Sequence, residues 1–149
     1  MSATASEAGT TEILARYLID ASPASLPDPV RHETLRCFLN ILGCTVGGAR
    51  HEAVDILYRT LAPFEGPGRA TLVGRGHKSD ALTAALINCM SSSIHVFDDT
   101  HAEAIVHPAG PVMGAVMAVA EMQIVSGADF VHAFALGGET VCRISKALS

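Results

Sequence analysis

Three features of the sequence predict an all-α fold. Apolar residues recur at three- and four-residue spacing over nearly the whole chain. Only residues 64–79, FEGPGRATLVGRGHKS, break that period for any length. Capping residues, Pro and Gly punctuate the apolar stripes where helices would begin and end. The expected architecture is a multi-helix, bundle-like domain over residues 10–149, preceded by a mobile tail over residues 1–9.

Taken in order, Ile13, Leu14, Tyr17 and Leu18 form the first apolar stripe, with Thr10 or Thr11 as N-cap. SPASLPDP reads as a loop, in which Asp28 followed by Pro29 is a cap-then-first-turn signal. The helix so opened carries Val30, Leu35, Phe38, Leu39 and Leu42 and should stop near Gly47-Gly48. Val54, Leu57, Tyr58 and Leu61 have the spacing of a third helix. Ala-Thr-Leu-Val, residues 70–73, suits a short extended segment, after which Ser79 caps a helix bearing Leu82, Ala85, Leu86 and Cys89. Two further helices are expected at about 111–125 and 128–147, the second interrupted at Gly137-Gly138. Gly110, Gly114 and Ala118 recur every four residues, which predicts that the helix bearing them is central and closely packed.

Composition limits the function. The chain is 149 residues long, one domain's worth, 49% hydrophobic and only 17% charged, and its mean hydropathy is +0.34. A lone small domain is about 25% charged, so this deficit predicts apolar surface that belongs against a second subunit, a second domain or a C-terminal remainder. A net charge of −5, with no basic cluster, argues against nucleic acid as a partner. The greasiest run, GPVMGAVMAVAEMQIV, is cut by Glu121 and Gln123, so no membrane span is expected. The four cysteines show no CxxC spacing and lie in apolar runs. They read as buried reduced thiols, and with no visible secretory signal they predict a cytoplasmic protein.

Against this background residues 95–110, HVFDDTHAEAIVHPAG, stand out. They gather His95, His101 and His107 with Asp98, Asp99 and Glu103. Pro108 and Pro111 both suit a helix's first turn, so His107 stands at the N-terminus of the apolar helix, where free amides favour an anion. A histidine there could hold a substrate carboxylate and exchange a proton with it, or merely cap the helix. Asp98 and Asp99 are either solvated loop acids or groups that orient a catalytic histidine or accept a proton, while Thr100 offers a hydroxyl to substrate. His101 and Glu103 read from the residues alone as surface groups. A rival reading takes Asp98, Asp99 and Glu103 as a magnesium site of a prenyl-diphosphate enzyme. Such enzymes steady carbocations with aromatic side chains, and this chain is 5% aromatic without Trp.

These residues resemble the MmgE/PrpD family of 2-methylcitrate dehydratase, cis-aconitate decarboxylase and iminodisuccinate epimerase. Its motif runs approximately N-G-x-x-x-H-x-x-D-F-D-D-T-H, then H-P-S/G. Asn88, the run Phe97-Asp98-Asp99-Thr100-His101, and His107-Pro108 match it, and GGETVCRISKAL is similar to the family's G-Y-E-V-x-x-R-I, keeping Glu139 and Arg143. The likeness runs from about residue 10 onward and implies the N-terminal part of a larger helical domain, in a homodimer without metal or organic cofactor. It implies a lyase that moves a proton beside a carboxylate of a small di- or tricarboxylic acid. In that reading His107, Asp98 and Asp99 are catalytic and Thr100 and His101 bind substrate. Val96 replaces the motif's first Asp, Ser93 its histidine, Cys89 its Gly, Gly138 the Tyr of G-Y-E-V, and Ala109 the Ser or Gly after H-P. The family's lysines would lie beyond Ser149, and His107 with arginines such as Arg75 would not supply the positive charge alone, so the chain is expected to be inactive without its remainder. The alternative is a degenerate, non-catalytic relative that keeps the scaffold for association.

Overall fold

The computed structural model describes residues 9–148, so the tail expected over residues 1–9 lies, except for Gly9, outside the described residues. Six α-helices carry the described residues: α1 (Thr10–Asp20), α2 (Asp28–Gly48), α3 (Glu52–Leu61), α4 (Ala81–Ser93), α5 (Ala109–Ala120) and α6 (Gly127–Leu148). The fold is all-α. Residues 64–79, where the helical period fails, hold its small antiparallel hairpin, β1 (Ala70–Leu72) paired with β2 (His77–Ser79) in the register Ala70↔Ser79. None of the described helices is long and apolar enough to cross a membrane.

α4 and α5 form the centre, packed on each other and flanked by α2. Small residues make this approach close: a Cβ added at Gly114 would stand 2.6 Å from the Ala85 carbonyl oxygen. One core cluster joins Val54, Leu72, Ala84, Ile87 and Ala118, and the other joins Ile41, Val112, Met113 and Phe134. α5 contributes to both, as its apolar residues on every side require.

Several element limits differ from expectation, for local reasons. α1 begins at Thr10 with Gly9 as its N-cap and no side-chain cap, so neither Thr10 nor Thr11 caps it. Asp28 is already helical, with Pro27 as N-cap, and Pro29 follows in the first turn where its missing N–H costs nothing. Ser79 ends β2, and Asp80 caps α4 instead, accepting from the amides of Leu82 and Thr83 at 3.0 and 3.0 Å. α5 begins at Ala109, before Pro111, and stops at Ala120 rather than near 125. Glu121 then turns to the hairpin, accepting from the Thr71 amide (2.9 Å), the Thr71 hydroxyl (2.8 Å) and Lys78 (2.7 Å). α6 runs unbroken through Gly137-Gly138. At Gly137 a Cβ would come within 2.5 Å of Val112, so the glycine admits α5 rather than kinking the helix. The four cysteines are free but half-buried rather than fully buried.

Candidate active site

Residues 94–108 leave α4 and return to α5 without regular structure, pinned from three sides. Asn40 of α2 donates to the Phe97 carbonyl at 3.4 Å. Ser145 of α6 donates to the Ala104 carbonyl at 2.7 Å, and Lys146 pairs with Glu103 at 2.7 Å. At α5 the Ala109 amide donates to both Asp99 carboxylate oxygens, at 3.1 and 3.3 Å. Within the segment the His101 amide meets the Val106 carbonyl at 2.9 Å, closing a tight loop. Val96 (φ 57) and Ile105 (φ 50) take the left-handed conformation that β-branched residues resist, and their side chains are 73% and 86% exposed. The matched Asn88 is buried and structural. Its side chain accepts from the Val73 amide at 3.0 Å and donates to the Thr71 carbonyl at 2.9 Å, tying α4 to the hairpin.

This pinning brings Asp98, Asp99, Thr100 and His107 together. The Nδ1 of His107 lies 3.6 Å from an Asp98 carboxylate oxygen and 3.4 Å from the Thr100 hydroxyl. The Asp98 side chain is 3% exposed and that of His107 is 47% exposed, so a buried acid backs an accessible ring. A proton on Nδ1 shared with these acceptors leaves the lone pair on Nε2, which has no hydrogen-bond partner among the described residues. Contacts of this length tighten when a ligand completes a site.

The helix end serves a different group from the one expected. The first amide of α5 is bonded to Asp99, so the protein's own carboxylate, not a docked acid, fills the position favoured by the helix dipole. Burial raises the Asp99 carboxyl above its ordinary value; the Ala109 hydrogen bond works against this and the Asp98 charge adds to it. Asp99, Pro108 and Ala109 also line an apolar cavity of about 430 Å³, with Val30, Cys37 and Phe134. Burial, with the Asp99 charge adding, pushes the Cys37 thiol there up to about 11, which keeps it protonated at neutral pH.

The structure does not bring every candidate to this point. The Nδ1 of His101 accepts from the Ala104 amide at 3.1 Å, and its ring faces a separate cavity of about 450 Å³ with Glu139, Cys142, Arg143 and Lys146. His95 stacks edge-on against His51, ring centroids 5.4 Å apart. Arg75, expected to lend charge, is buried against Asp55 (2.6 Å) and the Tyr58 ring (5.2 Å). The cations beside the loop are instead Arg143 and Lys146. Their spacing with Glu139 and Cys142, at 139, 142, 143 and 146, places all four on one face of α6, a signal present in the sequence. The acids of the magnesium reading turn to different partners, Asp99 to Ala109 and Glu103 to Lys146. Among the described residues no group of three or more His, Cys, Asp or Glu is placed to hold a metal ion.

A family model described as the MmgE/PrpD N-terminal domain matches residues 12–149. The chain is 28% identical over 147 residues to a cis-aconitate decarboxylase of Aspergillus terreus, covering 95% of this chain and 30% of that protein. It is 25% identical over 149 residues to a cis-aconitate decarboxylase-like protein of Aspergillus oryzae, covering 95% and 31%. The chain therefore spans under a third of the length of these curated relatives.

Proposed function

The chain belongs to the MmgE/PrpD family, and from that premise we propose that it carries the acid/base part of a cofactor-free lyase acting on a small di- or tricarboxylic acid. The observation that carries this reading is the His107–Asp98 pair: an accessible imidazole whose Nδ1 side is backed by a buried carboxylate and a hydroxyl. Nε2 accepts a proton from the carbon beside a substrate carboxylate, the electron pair left behind breaks the adjacent C–O bond, and the imidazolium returns its proton to the departing hydroxyl, which leaves as water. In a decarboxylation the C–C electron pair stays on carbon when CO2 leaves, and the imidazolium delivers the proton to it. Asp98 stabilises the imidazolium, Thr100 positions substrate, and Asp99 holds the loop on α5. Arg143 and Lys146, with His101, line the cavity that would take a second carboxylate. A second copy or further chain completes the site in this reading; the relatives' greater length supports the further chain.

One observation favours a second reading, a non-catalytic relative kept for association. Val96 presents an exposed apolar side chain where the family motif has an acid. Titration with citrate and cis-aconitate, followed by the His107 ring resonance, together with assays for loss of water and of CO2, separates the two. In the enzyme reading the acids shift His107 in the chain, and in the protein with its site completed Val96→Asp raises turnover and His107→Ala lowers it by roughly 100- to 10,000-fold. Binding equal in the chain and in His107→Ala, with no turnover in the completed protein carrying Val96→Asp, would leave only the second reading.

A further inference from the structure

The largest cavity that borders a buried, unpartnered polar group lies away from the His107 loop. It has a volume of about 570 Å³ and opens between the last turn of α1, the 3-10 turn Pro23–Ser25, the start of α2 and the middle of α6. His132 of α6 lines it and is only 9% exposed, yet neither ring nitrogen has a hydrogen-bond partner among the described residues. The His132 nitrogens are not sealed in protein but are turned to the cavity, where they are open to a ligand.

The charge around the cavity gives the ligand its sign. Asp20 and Glu139 line it, and Asp20 has no ion-pair partner among the described residues. The carbonyl end of α1, the negative pole of its dipole, arrives at the same place with no basic residue in its last turn. No cation lines the cavity. Arg143 is bonded to Glu139 at 2.6 Å, and Arg31 to the Pro23 carbonyl at 3.4 Å. The opposite wall is apolar, formed by Leu26, Pro27, Val30 and Leu136. An anion would meet like charge here, and a bare inorganic cation would leave that wall uncovered.

We propose that this cavity binds a small organic ammonium ion, its N–H donors on Asp20, Glu139 and the acceptor nitrogen of His132, and its hydrocarbon body on the wall of α2 and the preceding loop. The inference does not rest on the lyase reading, because neither His107 nor its partners line this cavity.

Benzylammonium, benzyl alcohol and benzoate share a ring and differ in the head group, which makes them suitable probes for the full chain. Benzylammonium is expected to give a saturable shift of the His132 ring proton, benzyl alcohol a weaker one and benzoate none. By calorimetry, His132→Leu should bind benzylammonium roughly tenfold more weakly and Asp20→Asn roughly fivefold more weakly. No saturable shift, equal binding of the alcohol, or unchanged affinity in both variants would overturn the assignment. If His132→Leu does not fold, Asp20→Asn at its exposed position decides alone.

Discussion

Asp99 shows how one side chain ties the loop to the core at an electrostatic cost. It caps α5 through the Ala109 amide, yet burial raises its carboxyl, so the folded chain holds that proton more tightly than the unfolded one. The stability it contributes is therefore fully present below the unfolded value, 3.8, and is lost as pH rises through the higher folded value. Asp99→Asn keeps an acceptor oxygen without the buried charge. Its urea midpoint should match or exceed that of the parent at pH 7 and fall below it at acid pH, whereas Asp99→Ala should lose about 1 kcal/mol at both. A parent and Asp99→Asn with parallel pH profiles would refute this account. Val96 is the opposite case, exposed and strained at φ 57. Asp tolerates the left-handed region better, so Val96→Asp should raise stability by up to about 1 kcal/mol, read as a higher thermal midpoint. From the sequence, the grouping of Asp98, Asp99, Thr100 and His107 was readable because they are near neighbours in the chain. The separate turn of His101 was not, since it depends on which carbonyl and amide close the 101–106 loop. The place of Arg75 was not readable either, since it is the hairpin that folds it against Asp55.

At the scale of elements, periodicity found each helix, and apart from the break expected at Gly137-Gly138 the errors fell at the ends, where one hydrogen bond decides. Asp80 and Ser79 are both good caps, and only the pairing of Ser79 with Ala70 in the hairpin leaves the task to Asp80. The short end of α5 arises because Glu121 bonds to β1 and Lys78, contacts 50 and 43 residues distant in sequence that no local pattern encodes. The glycine spacing on α5 was readable, and its consequence can be tested. Gly114→Ala would press a methyl group to 2.6 Å from the Ala85 backbone oxygen, and forcing α4 and α5 apart should cost about 2 kcal/mol. Gly43→Ala, whose Cβ meets nothing within 4 Å, should instead stabilise α2 by roughly 0.5–1 kcal/mol. Chemical denaturation of the two variants checks the pair. A similar loss in both would mean that α4 and α5 do not approach so closely.

For the whole molecule, the decisive fact is that α5 belongs to both core clusters while α1 contributes to neither and buries no residue. Opening α5 therefore requires losing both clusters together, but α1 can fray with little loss of packing. Native-state hydrogen exchange should rank the amides accordingly: α5 and the facing side of α4 slowest, at the global unfolding free energy, and α1 fastest. Met113, fully buried in the second cluster and 3.8 Å by its sulfur from the Thr45 hydroxyl, tests the coupling. Met113→Ala should cost about 2–5 kcal/mol. If the clusters are coupled, that loss lowers protection equally in β1 and α6, which lie on opposite clusters, and unfolding stays a single transition. Loss confined to α2 and α6 would show two independently opening cores. The same coupling bears on the candidate site, because its loop is anchored to α2, α5 and α6 at once. His107 and Asp98 should keep their geometry for as long as α5 is closed. Accordingly, the Ala109 amide, held by Asp99, should exchange as slowly as the middle of the helix rather than as a frayed end.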